Sequence, residues 1–268
     1  MTICGGVQDF MAVPRFYCPD TALLIQGGQL PNALVRHAIQ ARRLREGEHL
    51  VLFDGSGGEY RTHLTCIDRE IAMIAPGEFC SIERESPLQI CLIQALCATD
   101  KMDWVIQKAV ELGVHSLIVV ALARSVVQLS GERMQRRLDH WMQVMVSAAE
   151  QCGRNRLPSL RFCADLDEMV SWLPDGVRLM LDPEGRQELS ATIVPDQAVT
   201  LWVGPEGGMS EGERAWSIRQ GFVAVQVGPR VLRTETAGLA ALAALQFGYG
   251  DWMTRHVGTG ERVSGVAE

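Results

Sequence analysis

The feature that most constrains this chain is a unit that occurs twice in its last third: an apolar strand, a glycine-containing loop, then a helix. Residues 199–203 lead into Gly204-Pro-Glu-Gly-Gly-Met-Ser210, and residues 222–227 lead into Gly228-Pro-Arg-Val-Leu-Arg-Thr-Glu-Thr236. Ser210-Glu-Gly-Glu213 has the chemistry of a capping box, with Gly221 placed to end that helix. A small-residue helix is expected over 236–247. The same alternation is visible further upstream. Residues 88–95, 117–123 and 178–181 read as strands, and 100–113 and about 132–151 as amphipathic helices. Strands that alternate with helices predict an α/β domain with a largely parallel sheet, here over 86–252.

The first part of the chain reads differently. From about 15 to 83 the pattern is of short strands, with 50–53 and 59–64 flanking the hairpin turn Asp54-Gly-Ser-Gly-Gly58. Residues 31–45 form a short helix or turn that carries Arg36, His37, Arg42, Arg43 and Arg45. A first domain is therefore expected over 11–85. The charged run Glu83-Arg-Glu-Ser-Pro87 serves as its linker to the second. Residues 1–10 carry no periodicity and read as a disordered extension, and 253–268 as a loose tail.

Charge argues first against a nucleic-acid partner. The formal net charge is −7, from 25 basic and 32 acidic residues, and all the basic ones except Lys101 and Lys108 are arginine. The average conceals two basic stretches. Residues 36–45 hold four arginines and no acid, and residues 124–161 hold seven arginines against three acids. Residues 162–213 hold eleven acids against two arginines. The acidic average therefore does not exclude a nucleic-acid partner, whose contact would be local and one-sided. The eight cysteines form no CxxC pair and no cluster of zinc spacing, so they read as reduced hydrophobes, with no structural metal expected. No secretion signal or membrane-length apolar run is present, which makes a cytoplasmic protein the expectation.

The two glycine loops carry the chemistry, because ligands of open α/β sheets bind at the carboxyl ends of strands. Neither loop has the Gly-Lys-Ser/Thr ending of a phosphate loop, and GxGxxG is absent. Glu206 would repel phosphate, so backbone donors plus one carboxylate better suit a neutral or cationic ligand such as an adenosyl sulfonium. Arg230 and Arg233, beside Glu235, are placed to clamp a phosphate or a developing oxyanion. The alternative is a salt-bridged helix entry in which Glu235 pairs with them. The string Glu150-Gln-Cys-Gly-Arg-Asn-Arg-Leu-Pro158 ends the long helix with two arginines expected to be exposed.

Four motifs together, Lys101-Met-Asp-Trp-Val-Ile-Gln-Lys-Ala-Val-Glu-Leu-Gly113, Glu150-Gln-Cys-Gly-Arg154, Val203-Gly-Pro-Glu-Gly-Gly208 and Gly228-Pro-Arg-Val-Leu-Arg-Thr-Glu235, resemble the bacterial 16S rRNA uridine-N3 methyltransferases of the RsmE type, in the SPOUT superfamily. Arg15-Phe-Tyr, His37 followed by Arg43, and Phe53-Asp-Gly-Ser-Gly extend the resemblance to the N-terminal part. Ala41-Arg42 departs from it, since the family has an aliphatic pair before its arginine. The resemblance implies a PUA-like β-barrel ahead of a knotted α/β domain that forms homodimers. It also implies an S-adenosyl-L-methionine pocket built from Leu181, Gly204, Glu206, Gly207, Gly208, Val227, Gly228, Val231 and Leu232.

Methylation of uracil N3 requires loss of the imide proton and alignment with the sulfonium methyl. Arg233, or Arg230, is expected to stabilise charge on the flanking carbonyls. Glu206 or Glu235 is the candidate base, with water as the alternative acceptor. Contact with rRNA of the small ribosomal subunit would fall to Arg15, Arg36, His37, Arg43, Lys101, Arg124, Arg154 and Arg156. The competing readings are a SPOUT ribose 2′-O-methyltransferase and a non-catalytic RNA-binding assembly factor.

Overall fold

The computed structural model describes residues 13–68, 71–125, 131–189 and 197–252. The extension expected at 1–10 and the tail expected at 253–268 lie outside them. Six short strands build the N-terminal unit: β1 (Arg15–Tyr17), β2 (Gly28–Gln29), β3 (His49–Phe53), β4 (Glu59–Asp68), β5 (Ile71–Ile74) and β6 (Glu78–Cys80). They lie in the order β1-β3-β4-β5-β2, with β6 on β4. The β3–β4 hairpin turns through Gly55, Gly57 and Gly58, all at positive φ, as a tight reversal requires. Helices α1 (Thr21–Gln26) and α2 (Asn32–Val35) close a core of Phe16, Leu24, Leu50, Leu52, Leu64 and Ile74. The basic segment follows α2 as a π-helical turn, Arg36–Ala41, and is then reversed by Arg43 at φ 58.

The second unit contains β7 (Ile90–Ala95), α3 (Thr99–Glu111), β8 (Ser116–Val120), α4 (Gly131–Cys152), β9 (Ser159–Cys163), α5 (Leu166–Val170) and β10 (Gly176–Leu181). It continues with β11 (Gln187–Glu188), β12 (Ala198–Val203), α6 (Glu211–Arg219), β13 (Val223–Gln226) and α7 (Thr234–Tyr249). Every strand pair is parallel, in the order β11-β13-β10-β12-β7-β8-β9. The central strands are buried on both faces, which is why they read as unbroken apolar runs. Leu92, Leu201 and Val203 meet α3, α4 and α7, while Ile93, Met180 and Trp202 meet α5 and α6. Strand β9 and helix α5 were not anticipated. Ser159–Cys163 is an edge strand whose exposure alternates, and Ser159, Arg161 and the interrupted apolar pattern hide it.

The two units meet at the N-terminal ends of β7 and β9, through a buried polar network. Arg15 donates to Glu59 at 2.6 Å and also to Asn155, and its guanidinium lies 5.3 Å from the Phe53 ring. Asn155 donates to the Ile82 carbonyl at 2.6 Å, and Arg84 to the Gly153 carbonyl at 3.0 Å. Arg154 donates to Glu85 at 3.0 Å and to the carbonyls of Val110 and Val114 at 3.0 and 2.9 Å. Desolvation pushes the Glu59 carboxyl up, but the surrounding Arg15, Asn155 and Arg84 outweigh it and hold its pKa below the ordinary glutamate value.

This corrects two expectations. Arg15 and Arg154 retain only 8% and 4% exposure, so neither is open to a phosphate; both fasten one unit to the other. It also gives the linker a different character. Glu83, Arg84, Glu85 and Ser86 all make side-chain contacts, and Ser86 donates to Gln246 near the end of α7 at 2.6 Å.

Candidate active site

Both glycine loops leave the carboxyl end of the sheet, the end away from the junction. The first begins where β12 stops at Val203. Its turn is closed by the Gly208 N–H donating to the Pro205 carbonyl at 2.9 Å, with Gly208 at φ 70. It ends in the expected capping box, where the Ser210 hydroxyl accepts from the Glu213 N–H at 3.3 Å and Glu213 accepts from the Ser210 N–H at 2.7 Å. The second loop follows β13, turns at Gly228, also at φ 70, and enters α7 at Thr234. Both φ values lie in the left-handed region that favours glycine.

The loops enclose a cleft of about 750 Å³. Of the expected ligand-binding residues, Leu181, Gly204, Glu206, Gly208, Val227, Val231 and Leu232 line it. Gly207 and Gly228 shape the loops but are not on its wall. Gly207 lies under Arg124, where a Cβ would approach the arginine Cβ to 3.2 Å. Arg124 itself donates to the Gly207 carbonyl at 3.2 Å and reaches the cleft.

All four candidate catalytic residues, Glu206, Arg230, Arg233 and Glu235, lie on the wall. Their pairing differs from the alternative weighed above. Glu235 does not bridge to the arginines. Lys101, from the first turn of α3, stands 3.4 Å from Glu206 and 3.4 Å from Glu235, and so spans the two loops. Desolvation pulls the Lys101 ammonium down, but the two carboxylates outweigh it and hold its pKa above the ordinary lysine value. The Arg230 and Arg233 side chains have no hydrogen-bond or ion-pair partner among the described residues, and their forks are open to an anion.

Two groups on the wall escaped the sequence reading. Asp182 pairs with Arg214 of α6, and its other oxygen accepts the Glu184 N–H at 2.9 Å. The available signal was Asp182-Pro-Glu-Gly185, a third strand-end loop composed like the first. The second is Thr234, whose hydroxyl donates to the Gly204 carbonyl at 2.6 Å.

The remaining RNA-contact candidates are scattered. Arg36 and Arg43 are exposed on the N-terminal unit. His37 lies 3.8 Å from Glu150, and Arg156, also exposed, is 3.3 Å from Glu83 at the junction. Among the described residues, no helix is long and apolar enough to cross a membrane.

Comparison with known proteins agrees with this layout. The family described as "RNA methyltransferase domain" matches residues 84–246, and "RNA methyltransferase PUA domain" matches 30–72. The ribosomal RNA small subunit methyltransferase E of Mycobacterium bovis is 33% identical over 78% of this chain and 82% of its own length. That of Bacillus subtilis is 29% identical over 80% of this chain and 87% of its own. The Neisseria gonorrhoeae ribosomal RNA small subunit methyltransferase E, solved bound to S-adenosyl methionine, superposes with a TM-score of 0.82 at 37% identity, covering 90% of this chain and all of the other. A Legionella pneumophila structure with bound SAM gives a TM-score of 0.84 at 33% identity, covering 89% of this chain and 99% of the other. With its PUA-like unit ahead of a parallel α/β methyltransferase domain, the chain belongs to the ribosomal RNA small subunit methyltransferase E family.

Proposed function

We propose that the cleft binds S-adenosylmethionine and that the protein methylates N3 of one uridine in 16S rRNA, in the cytoplasm and on the assembled small subunit. The observation that carries this reading is the convergence of both glycine loops on one cleft, in a chain 37% identical to a relative solved with that cofactor. The donor set fits the ligand. Glu206, Glu235, Asp182 and Glu184 suit a sulfonium that also bears an ammonium, while Leu181, Val227, Val231 and Leu232 offer an apolar wall to a ring. Val231 is 78% exposed, so a ring placed on it removes apolar surface from water. A Cβ at Gly204 would press on the Met209 side chain at 3.3 Å, which keeps that position small.

When bound, the cofactor supplies a methyl carbon activated by positive sulfur. The chain's own residues manage the uracil. Losing the N3 proton spreads negative charge onto the two flanking carbonyl oxygens, and Arg233, with Arg230 nearby, is placed to hold it. Glu206 and Glu235 are the wall's proton acceptors, oriented by Lys101, with water as the other route. Because paired, stacked bases hide N3, the target must be unpaired or flipped out.

In this reading residues 11–85 are the RNA-binding domain and 86–252 the methyltransferase domain. Arg36 and Arg43 contact phosphates, and two copies pair through the second domain. Trp104, Phe247 and Trp252, each more than half exposed, support that pairing. The test is methyl transfer to ribosomal particles from a strain lacking the enzyme, with nucleoside mass spectrometry and mapping. N3-methyluridine at a single position is expected. A 2′-O-methyl product would replace this reading with the ribose one, and cofactor binding without turnover would replace it with an assembly factor.

A further inference from the structure

Gln94 is a fully buried polar residue on a strand that otherwise presents Leu92, Ile93 and Ala95 to the core. Its amide nitrogen donates to the Thr234 hydroxyl at 3.0 Å and to the Ala95 carbonyl at 3.2 Å. The Thr234 hydroxyl in turn donates to the Gly204 carbonyl at 2.6 Å. The direction of this chain is fixed by proton counting. A carbonyl only accepts, so the single hydroxyl proton goes to Gly204, and Gln94 has to present N–H rather than oxygen. That arrangement leaves the Gln94 Oε1 buried without a hydrogen-bond partner among the described residues, an unfavourable state that the donor chain must offset.

The geometry ties the two loops together. Gly204 opens the first loop, and Thr234 closes the second immediately after Arg233. One turn further along α7, a Cβ at Gly238 would meet Val203 at 3.1 Å, Leu92 at 3.2 Å and Gln94 at 3.5 Å. The helix is therefore seated directly on β7 and β12 at this height, with no slack beneath it.

We propose that Gln94 is a positioning residue for the cofactor cleft, acting through Thr234 to hold the Gly204 carbonyl and so set the spacing of the glycine loops. This rests on the cleft being the S-adenosylmethionine site. Thr234→Val keeps the shape of the side chain and removes the relay. Gln94→Met keeps the length of the side chain and removes the donor to Thr234. Either variant is expected to raise the KM for S-adenosylmethionine about tenfold, the equivalent of one buried hydrogen bond. The KM for RNA should stay within about threefold, and Thr234→Ser should restore the cofactor KM to within about threefold of the starting protein. A merely structural loss would instead lower kcat through the folded fraction and leave both KM values in place.

Amide hydrogen exchange of the ligand-free protein supplies a readout that needs no activity. Faster exchange in residues 204–208, with global melting unchanged, is expected for Thr234→Val but not for Thr234→Ser. Unaltered exchange in Thr234→Val overturns the relay, and so does a cofactor KM that stays within threefold. If the unmodified protein shows no cofactor binding by calorimetry, the cofactor reading fails, and the exchange comparison still decides whether Gln94 holds the loops.

Discussion

Arginines at opposite ends of the parallel sheet have opposite fates. At the junction, Arg15 and Arg154 are buried, and carboxylates and carbonyls answer their charges. At the cleft, the Arg230 and Arg233 side chains are exposed and pair with no carboxylate among the described residues, while Glu235 stands beside Lys101. Removing Arg15 leaves the buried Glu59 carboxylate without its nearest counter-charge; removing a cleft arginine leaves only solvent. The difference assigns stability to one end and leaves the other free for the chemistry proposed above.

The largest test of that division is Arg15→Ala, which breaks the buried Arg15–Glu59 pair. Breaking a buried pair costs about 3–5 kcal/mol, so a denaturant melt should show most of the domain's stability lost. Methyl transfer by the remaining folded protein should change little. Arg233→Ala should do the reverse, lowering kcat roughly 10²–10³-fold, or about 2.7–4 kcal/mol, as for a lost oxyanion donor. Its melting should stay within about 0.5 kcal/mol of the starting protein. Full turnover in Arg233→Ala would erase the distinction.

Smaller effects sharpen it. Replacing Arg36 and Arg43 together by alanine should weaken RNA binding and reduce the salt slope by about one for each arginine, with cofactor affinity unchanged. A salt series that matches the starting protein would remove the N-terminal unit from the RNA surface. Strong acid should weaken the junction. The folded pKa of Glu59 lies below its ordinary value of 4.5, so its contribution is intact above that pH and disappears as pH falls through the lower folded value. Denaturant melts down an acid series should show this loss, and Glu59→Gln should abolish that component while destabilising the protein at neutral pH.

What was legible in the sequence was local. The capping box at Ser210 and the buried central strands announce themselves within a few residues. That each glycine loop leaves a strand end was legible in the pattern, whereas their convergence on one pocket and its ligand came only from family resemblance. Arg15 and Arg154 misled because an arginine's role depends on its partners. Arg15 meets Asn155 across 140 positions and Arg154 meets Glu85 across 69, distances over which periodicity carries no information. Strand β9 was missed for a related reason. At the sheet's edge it needs no apolar run, and only its neighbour β8 makes it a strand.

The sheet order also sets a schedule for synthesis. The N-terminal core draws only on residues 16–74, so it can close soon after they leave the ribosome. The cleft must wait. Strand β13, among the last made, inserts between β10 and β11, and the Gln94–Thr234 contact joins residues 140 positions apart. Parallel pairing at such separations is slow, because the loop entropy is lost before the contacts form. A nascent chain stopped short of Thr234 therefore holds a completed first domain, an Arg15–Glu59 pair, and no place for a methyl donor.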